Sequence, residues 1–289
     1  MKHLVLHPHT KDHVAQFIAN PSHALLLLGS NGIGKTSLAE TMVAEVLGVQ
    51  AEKLQQHPYF TVVRAEKNSI SIDSIRELQR FLQLRTLGDR TFRRAVIVEH
   101  AEMLTTEAQN AFLKLLEEPP ADTVLILAAD NQRALLPTIS SRAQSISIYT
   151  PAEDDLKQYF ADQGKTATEI NQAYLLSGGL PGLMHALLDN DQTHPLLSGV
   201  TTAKEILQKS TFERLALVEG LSKQKEDAKY TLDALQHIAQ TMLDGAVKKE
   251  DAAKLKQWHH ILKVTTEARN ALAQSANAKL VLDNVMLQI

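Results

Sequence analysis

Apolar residues in the first half of this chain fall into two patterns that take turns. Short strand-like runs occur at Ala24 to Leu28, Tyr59 to Val63, Ala95 to Val98, Val124 to Ala128 and Ser145 to Ile148. Between them the apolar positions take helical spacing, as in Leu38, Ala39, Met42, Val43, Val46 and Leu47. Strands alternating with helices predict an α/β fold, with a mostly parallel sheet covered on both faces. A helix is signalled at Ser71-Ile72-Asp73 and continues through Ile75, Leu78 and Leu82. Another begins near Thr106, where Thr106 and Gln109 suit a capping box. Its core stripe is Ala108, Ala111, Phe112 and Leu115, and Pro119-Pro120 ends it, because proline lacks the amide donor and clashes with the preceding turn.

After Thr150-Pro151 the strand signals stop. Residues up to about 192 suit a small helical subdomain with a break at Ser177-Gly178-Gly179-Leu180-Pro181-Gly182. Longer amphipathic segments then follow at Phe212 to Leu221, Tyr230 to Leu243 and Ala253 to Ala273. No internal repeat is present, which points to a packing or assembly module rather than a solenoid.

The chemistry enters at the end of the first strand. Gly29-Ser30-Asn31-Gly32-Ile33-Gly34-Lys35-Thr36, followed by Ser37, matches the GxxxxGK(S/T) phosphate-binding loop. Glycine at 29, 32 and 34 lets successive backbone N–H groups turn inward around a phosphate with no Cβ in the way. The Lys35 ammonium is placed to reach β- and γ-phosphates, the Thr36 hydroxyl to ligate Mg²⁺, and the helix that follows to aim its positive end at the anion. The ligand this predicts is ATP or ADP with Mg²⁺.

Composition narrows the remaining possibilities. The 289 residues are 44% hydrophobic, enough for two or three ordinary globular domains. A net charge of −3 argues against bulk electrostatic coating of nucleic acid, so any DNA contact must be local. With no cysteine there is no disulfide, thiolate zinc site or cysteine nucleophile. No signal or membrane span is expected, and the cytoplasm is the expected location. His7, His9 and His13 have a spacing that fits neither one helix face nor the common zinc patterns, and they read as solvated.

Several segments together resemble the AAA+ subunits of the bacterial DNA polymerase III clamp loader. They are Gly29 to Ser37, SIDSIREL at Ser71 to Leu78, AVIVEHAEML at Ala95 to Leu104, AQNAFLKLLEEPP at Ala108 to Pro120 and LLPTISSRAQ at Leu135 to Gln144. The closing stretch Asn277 to Ile289 also looks like the last helix of that family. The resemblance implies an AAA+ P-loop NTPase core at residues 1–150, a helical lid at 151–192 and an all-α collar for oligomerisation at 193–289. It implies other clamp-loader subunits in a hetero-pentameric ring, the sliding clamp indirectly and primed DNA as partners, with no membrane.

Departures from the family pattern are informative. Its second acidic motif ends a strand with Asp-Glu, where this chain has Glu99 and His100. Glu99 retains a carboxylate for residual Mg²⁺ orientation, whereas a neutral His100 lacks the fixed negative charge of the usual base. The polar sensor after the next strand is replaced by Ala129, followed by Asp130, and the lid arginine by the Gly179-Leu180-Pro181-Gly182 stretch. An intact phosphate cradle with altered catalytic parts implies binding with weak or absent turnover, similar to the delta-prime branch. In Ser141-Arg142-Ala143 the resemblance implies that Arg142 is an arginine finger acting in trans on a neighbour's ATP, with Ala143 in place of the family's cysteine. The four-cysteine zinc module common in the family is missing, since Gly48 to Pro58 is too short for it, and zinc is not implied.

Two alternatives for the function stay open, a gamma/tau-like subunit that hydrolyses ATP itself and a self-contained P-loop kinase. A third question concerns Arg76, Arg80, Arg85, Arg90, Arg93 and Arg94. The resemblance turns that region, Arg76 and Arg80 above all, toward duplex DNA, while the same residues read equally as a solvated face balanced by Asp73, Glu77 and Asp89.

Overall fold

The computed structural model describes residues 4–66, 69–189, 191, 194–274 and 276–289. They divide into two compact units, Met1–Pro151 and Ala152–Ile289.

The first unit begins with α1 (Pro8–Ala19), whose proline at the first turn sacrifices no helical hydrogen bond. Next come β1 (Ala24–Leu28), α2 (Lys35–Leu47), β2 (Phe60–Val63), α3 (Ile72–Leu82), β3 (Arg94–Val98), α4 (Thr106–Glu117), β4 (Thr123–Ala129), the short α5 (Pro137–Ser140) and β5 (Gln144–Ser147). All strands pair in parallel in the order β2-β3-β4-β1-β5. Every residue of β3 and β4 is buried, as expected of central strands with helices on both faces. Leu26, Val96, Leu125 and Leu127 carry the core on one face, where Ile75 and Leu78 of α3 and Ala108 and Phe112 of α4 pack against them.

Two details differ from the sequence-based expectation. The cap of α4 is Thr105, whose hydroxyl accepts from the Ala108 amide at 3.2 Å. Gln109 is therefore not a capping-box partner. Its amide nitrogen donates to the carbonyls of Leu104 and Ala134, both at 3.2 Å, and its oxygen accepts from the Leu136 amide at 2.7 Å. A buried glutamine with all three bonds made ties the residue before the α4 cap to the chain entering α5.

The second difference is Arg94. Grouped by sequence with a positive stretch, it begins β3 and is only 2% exposed. Its guanidinium donates to the carbonyls of Leu82 and Leu84 and lies over the Phe81 ring, 5.5 Å from the centroid. It closes the end of α3 and offers nothing to an outside partner. Arg93 pairs with Asp122 at 3.6 Å.

The second unit contains α6 (Glu153–Asp162), α7 (Ala167–Ser177), α8 (Pro181–Asp189), α9 (Pro195–Gln208), α10 (Thr211–Leu221), α11 (Lys225–Lys248), α12 (Ala252–Ala273) and α13 (Ala278–Gln288). Among the described residues it has no strand. α7 starts with a complete capping box, Thr166 with Glu169, and at the start of α10 the Glu213 carboxylate accepts from the Ser210 amide and hydroxyl. The glycine break ends α7 with Gly178 and Gly179 at φ +66° and +74°, the left-handed region open to glycine. α11 packs against α7, α9 and α12. The expected lid-to-collar junction at 192–193 lies outside the described residues.

Candidate functional site

Parallel pairing brings the C-terminal ends of the strands to one edge of the sheet, where open α/β folds form their ligand crevices. β1 opens there into the phosphate loop. The register sets Leu28 beside Ala129, and the Gly29 amide donates to the Ala129 carbonyl at 3.2 Å. Gly32 and Gly34 take φ values of +85° and +95°, which explains glycine at both places. α2 starts at Lys35 with Gly34 as its cap and no side chain satisfying its first amides. Those amides have no helical acceptor and are donors available to an anion. Thr36 is half-buried in the first turn and Ser37 is exposed. The backbone and residue types of Gly29 to Thr36 thus fit a nucleotide phosphate with Mg²⁺.

Lys35 has its own partners. Its ammonium donates to the carbonyls of Gly29 at 2.8 Å and Ser30 at 3.0 Å and to Oδ1 of Asp130 at 2.7 Å. Lys35 and Asp130 are 7% and 15% exposed. Ala129, the residue at the expected sensor position, is wholly buried at the end of β4, and Asp130 after it is what reaches the loop.

Asp130 belongs to a polar chain that continues away from the loop. Its amide donates to Oε2 of Glu102 at 3.1 Å, and Oε1 of Glu102 lies 3.1 Å from Nδ1 of His100. His100, Glu102 and Asp130 bring one ligand-type atom each within 4.8 Å of one another. The hydrogen bond to Glu102 raises the His100 pKa above its ordinary value against the opposing effect of burial. Burial alone would raise the Glu102 carboxyl, yet hydrogen bonds from His100 and from backbone amides draw it below the usual range. The residue after Glu99, where the resemblance leads one to expect a carboxylate, is thus an imidazole paired with Glu102. His100 also has φ +50° and ψ +53°, a left-handed conformation that costs a non-glycine residue about 1–2 kcal/mol.

Glu99 lies apart from that chain. Both its oxygens accept from Arg64, from Nε at 3.2 Å and from Nη2 at 3.0 Å. The Glu40 carboxyl of α2 is pushed up by burial and then by the Glu99 charge. Arg142 makes its contacts elsewhere too. Its Nη1 donates to the Thr138 carbonyl at 3.2 Å, and its Nη2 pairs with Glu117 at 2.9 Å. Ala143 packs partly buried against the core. On α3, Arg76 and Arg80 are exposed opposite the buried Ile75, Leu78 and Leu82, and Arg76 pairs with Asp73 at 2.9 Å. His7 and His9 stack their rings on each other, 5.6 Å apart.

Glu102 and Arg64 were not singled out from the sequence. Glu102 had a weak local signal, two residues beyond His100, but its link to Asp130 depends on β3 lying beside β4.

A parallel five-stranded sheet in this order, with a GxxxxGK(S/T) loop between β1 and α2, defines an AAA+ P-loop core followed here by a helical region. Residues 9–152 match the family described as DNA polymerase III, delta subunit. The chain is similar to the delta-prime and gamma/tau subunits of DNA polymerase III. It is 34% identical over 182 residues to the delta-prime subunit of Pseudomonas aeruginosa, covering 56% of this chain and 55% of that one. It is 30% identical over 205 residues to the delta-prime subunit of Escherichia coli, covering 64% and 60%. These matches span between half and two thirds of the relatives' length. The tau/gamma subunit of Haemophilus influenzae is 26% identical over 170 residues, 52% of this chain and 24% of that subunit. A solved Thermotoga maritima structure, described as a DNA polymerase III gamma subunit-related protein, shares the fold. Its TM-score is 0.53 at 20% identity, over 96% of this chain and 97% of the other. Among the described residues no helix is long and apolar enough to cross a membrane.

Proposed function

We infer that this chain is a delta-prime-like clamp-loader subunit that binds nucleotide and serves its neighbours more than it turns over substrate itself. The observation that carries the reading is an intact phosphate loop beside an acid-base position filled by His100, whose pKa is raised by Glu102. An imidazole engaged by Glu102 at 3.1 Å supplies no fixed negative charge to orient an attacking water, which is the part a carboxylate base plays there. Gly29 to Ser37 hold the nucleotide phosphates, with Thr36 the Mg²⁺ ligand and Glu99 a residual orienting carboxylate. Bound Mg²⁺ supplies charge neutralisation between the phosphates.

Arg142 is the arginine finger presented in trans, and its partial exposure supports that role. A guanidinium aimed at a neighbour's γ-phosphate stabilises the charge that develops in phosphoryl transfer. Residues 151–192 serve as the lid and 193–289 as the collar of a hetero-pentameric ring that acts in the cytoplasm to load a sliding clamp onto primed DNA. Exposed Arg76 and Arg80 suit contact with a DNA backbone, salt-dependent and indifferent to sequence.

Steady-state ATP hydrolysis tests the reading, with the chain alone and then with the other loader subunits and primed DNA. The chain alone is expected to be inactive. In the complex Arg142→Ala is expected to lower turnover at the one neighbouring site it reaches by about 10³-fold or more, and so to depress the complex's total turnover, and Lys35→Ala to have little effect. Hydrolysis by the isolated chain that Lys35→Ala abolishes would instead make it a gamma/tau-like ATPase.

A further inference from the structure

Lys35 finds all its partners within the protein. An ammonium has three donors, and here they go to Gly29 O, Ser30 O and Asp130 Oδ1. The last is the shortest of the three and carries a full opposite charge. It is also largely shielded from water, where a charge pair attracts more strongly than at an open surface.

Asp130 is held in place from behind. It directly follows Ala129, whose carbonyl takes the Gly29 amide, and its own amide is bound by Glu102. The strand end and the start of the loop are therefore fastened together, so the carboxylate leaves Lys35 only by turning its side chain. A phosphate oxygen pairing with Lys35 must compete with a carboxylate of like charge 2.7 Å from the same ammonium. The glycines of the loop and the first amides of α2 favour an anion, while Asp130 opposes one.

We propose that Asp130 is a specificity-determining residue of the nucleotide site: its carboxylate acts as an internal counter-anion for Lys35, weakening binding of all nucleotides and of triphosphates more than diphosphates. The bias follows from charge, because a triphosphate brings one more negative charge to a site that already contains one. The proposal rests on the nucleotide-binding reading above. Asp130 is a determinant that selects against the third phosphate, and it requires no hydrolysis.

Calorimetric titration of the full chain with MgATP and with MgADP tests it, using wild type, Asp130→Asn, Asp130→Ala and Lys35→Ala. Asp130→Asn keeps the size and removes the charge, Asp130→Ala removes both, and circular dichroism checks that each variant is folded. Both Asp130 variants are expected to bind MgATP about tenfold tighter than wild type or better, and MgADP with a smaller gain, whereas Lys35→Ala gains nothing. A silent wild type with binding restored by Asp130→Asn supports the proposal and removes the simple reading of a nucleotide-loaded wild type. Equal affinities in wild type and Asp130 variants overturn the proposal and leave nucleotide binding standing. Absence of binding in every variant overturns both.

Discussion

The guanidinium of Arg142 pairs with Oε1 of Glu117 at 2.9 Å, so the segment after α5 is tied to the last residue of α4. Both side chains are partly open to water, at 37% and 50% exposure, and such pairs contribute about 0–1 kcal/mol. Glu117→Gln is therefore expected to change the unfolding free energy in a urea titration by less than about 1 kcal/mol. It frees Arg142 for a partner without unfolding the protein. A larger loss would assign the pair a structural role.

The cap of α4 gives a sharp comparison between adjacent threonines. Thr105→Ala removes the hydroxyl that accepts from Ala108 and is expected to cost about 1 kcal/mol. Thr106→Ala, inside the first turn, is expected to be nearly neutral. Chemical denaturation of both variants measures the difference, and equal losses would contradict the observed cap.

Gln109→Ala breaks three bonds at once and leaves the Leu136 amide and two carbonyls without their side-chain partner. A loss of about 2–3 kcal/mol in a urea titration is expected, because polar groups deprived of a partner away from water are costly. Gln109→Glu keeps an acceptor for Leu136 but supplies no donor to Leu104 or Ala134, so it is expected to rescue little.

Gly199 marks a close approach between α9 and α11. A Cβ at that position would lie 2.5 Å from the Tyr230 carbonyl oxygen and 2.6 Å from its carbon. Backbone cannot move aside as a flexible side chain does, so Gly199→Ala is expected to cost about 2 kcal/mol or more by forcing the helices apart. Gly220→Ala, which meets no atom within 4 Å, is the control and is expected to be neutral or slightly stabilising. Thermal unfolding of the two variants distinguishes them.

His237 predicts an acid limb in stability. Burial, and then the Arg269 charge, lower its pKa to about 4 from an ordinary value of 6.5. Between those values the unfolded chain binds a proton that the folded chain refuses. The contribution of His237 is complete above pH 6.5 and is lost as the pH falls through the window toward 4. The slope from this residue is at most about 1.4 kcal/mol per pH unit. Urea midpoints measured across the window are expected to fall less steeply for His237→Gln than for wild type, and parallel curves would refute the assignment.

The phosphate loop, the parallel α/β order and most element positions were legible in the sequence because they depend on near neighbours. Glycine at 32 and 34 answers a local demand for positive φ, and the runs that became β1 to β5 declare themselves within a few residues. Family motifs such as LLEEPP and SSRA belong to the same class, being contiguous words. What the tertiary structure alone decided are partnerships across large sequence separations. Lys35 meets Asp130 across 95 residues because β1 lies beside β4, and Glu99 meets Arg64 across 35 because β3 lies beside β2. Arg94 reads as one more surface cation until α3 packs over the start of β3 and surrounds it with carbonyls and a ring. Charge and periodicity describe what a residue offers, but only the packing of strands and helices determines which group receives it.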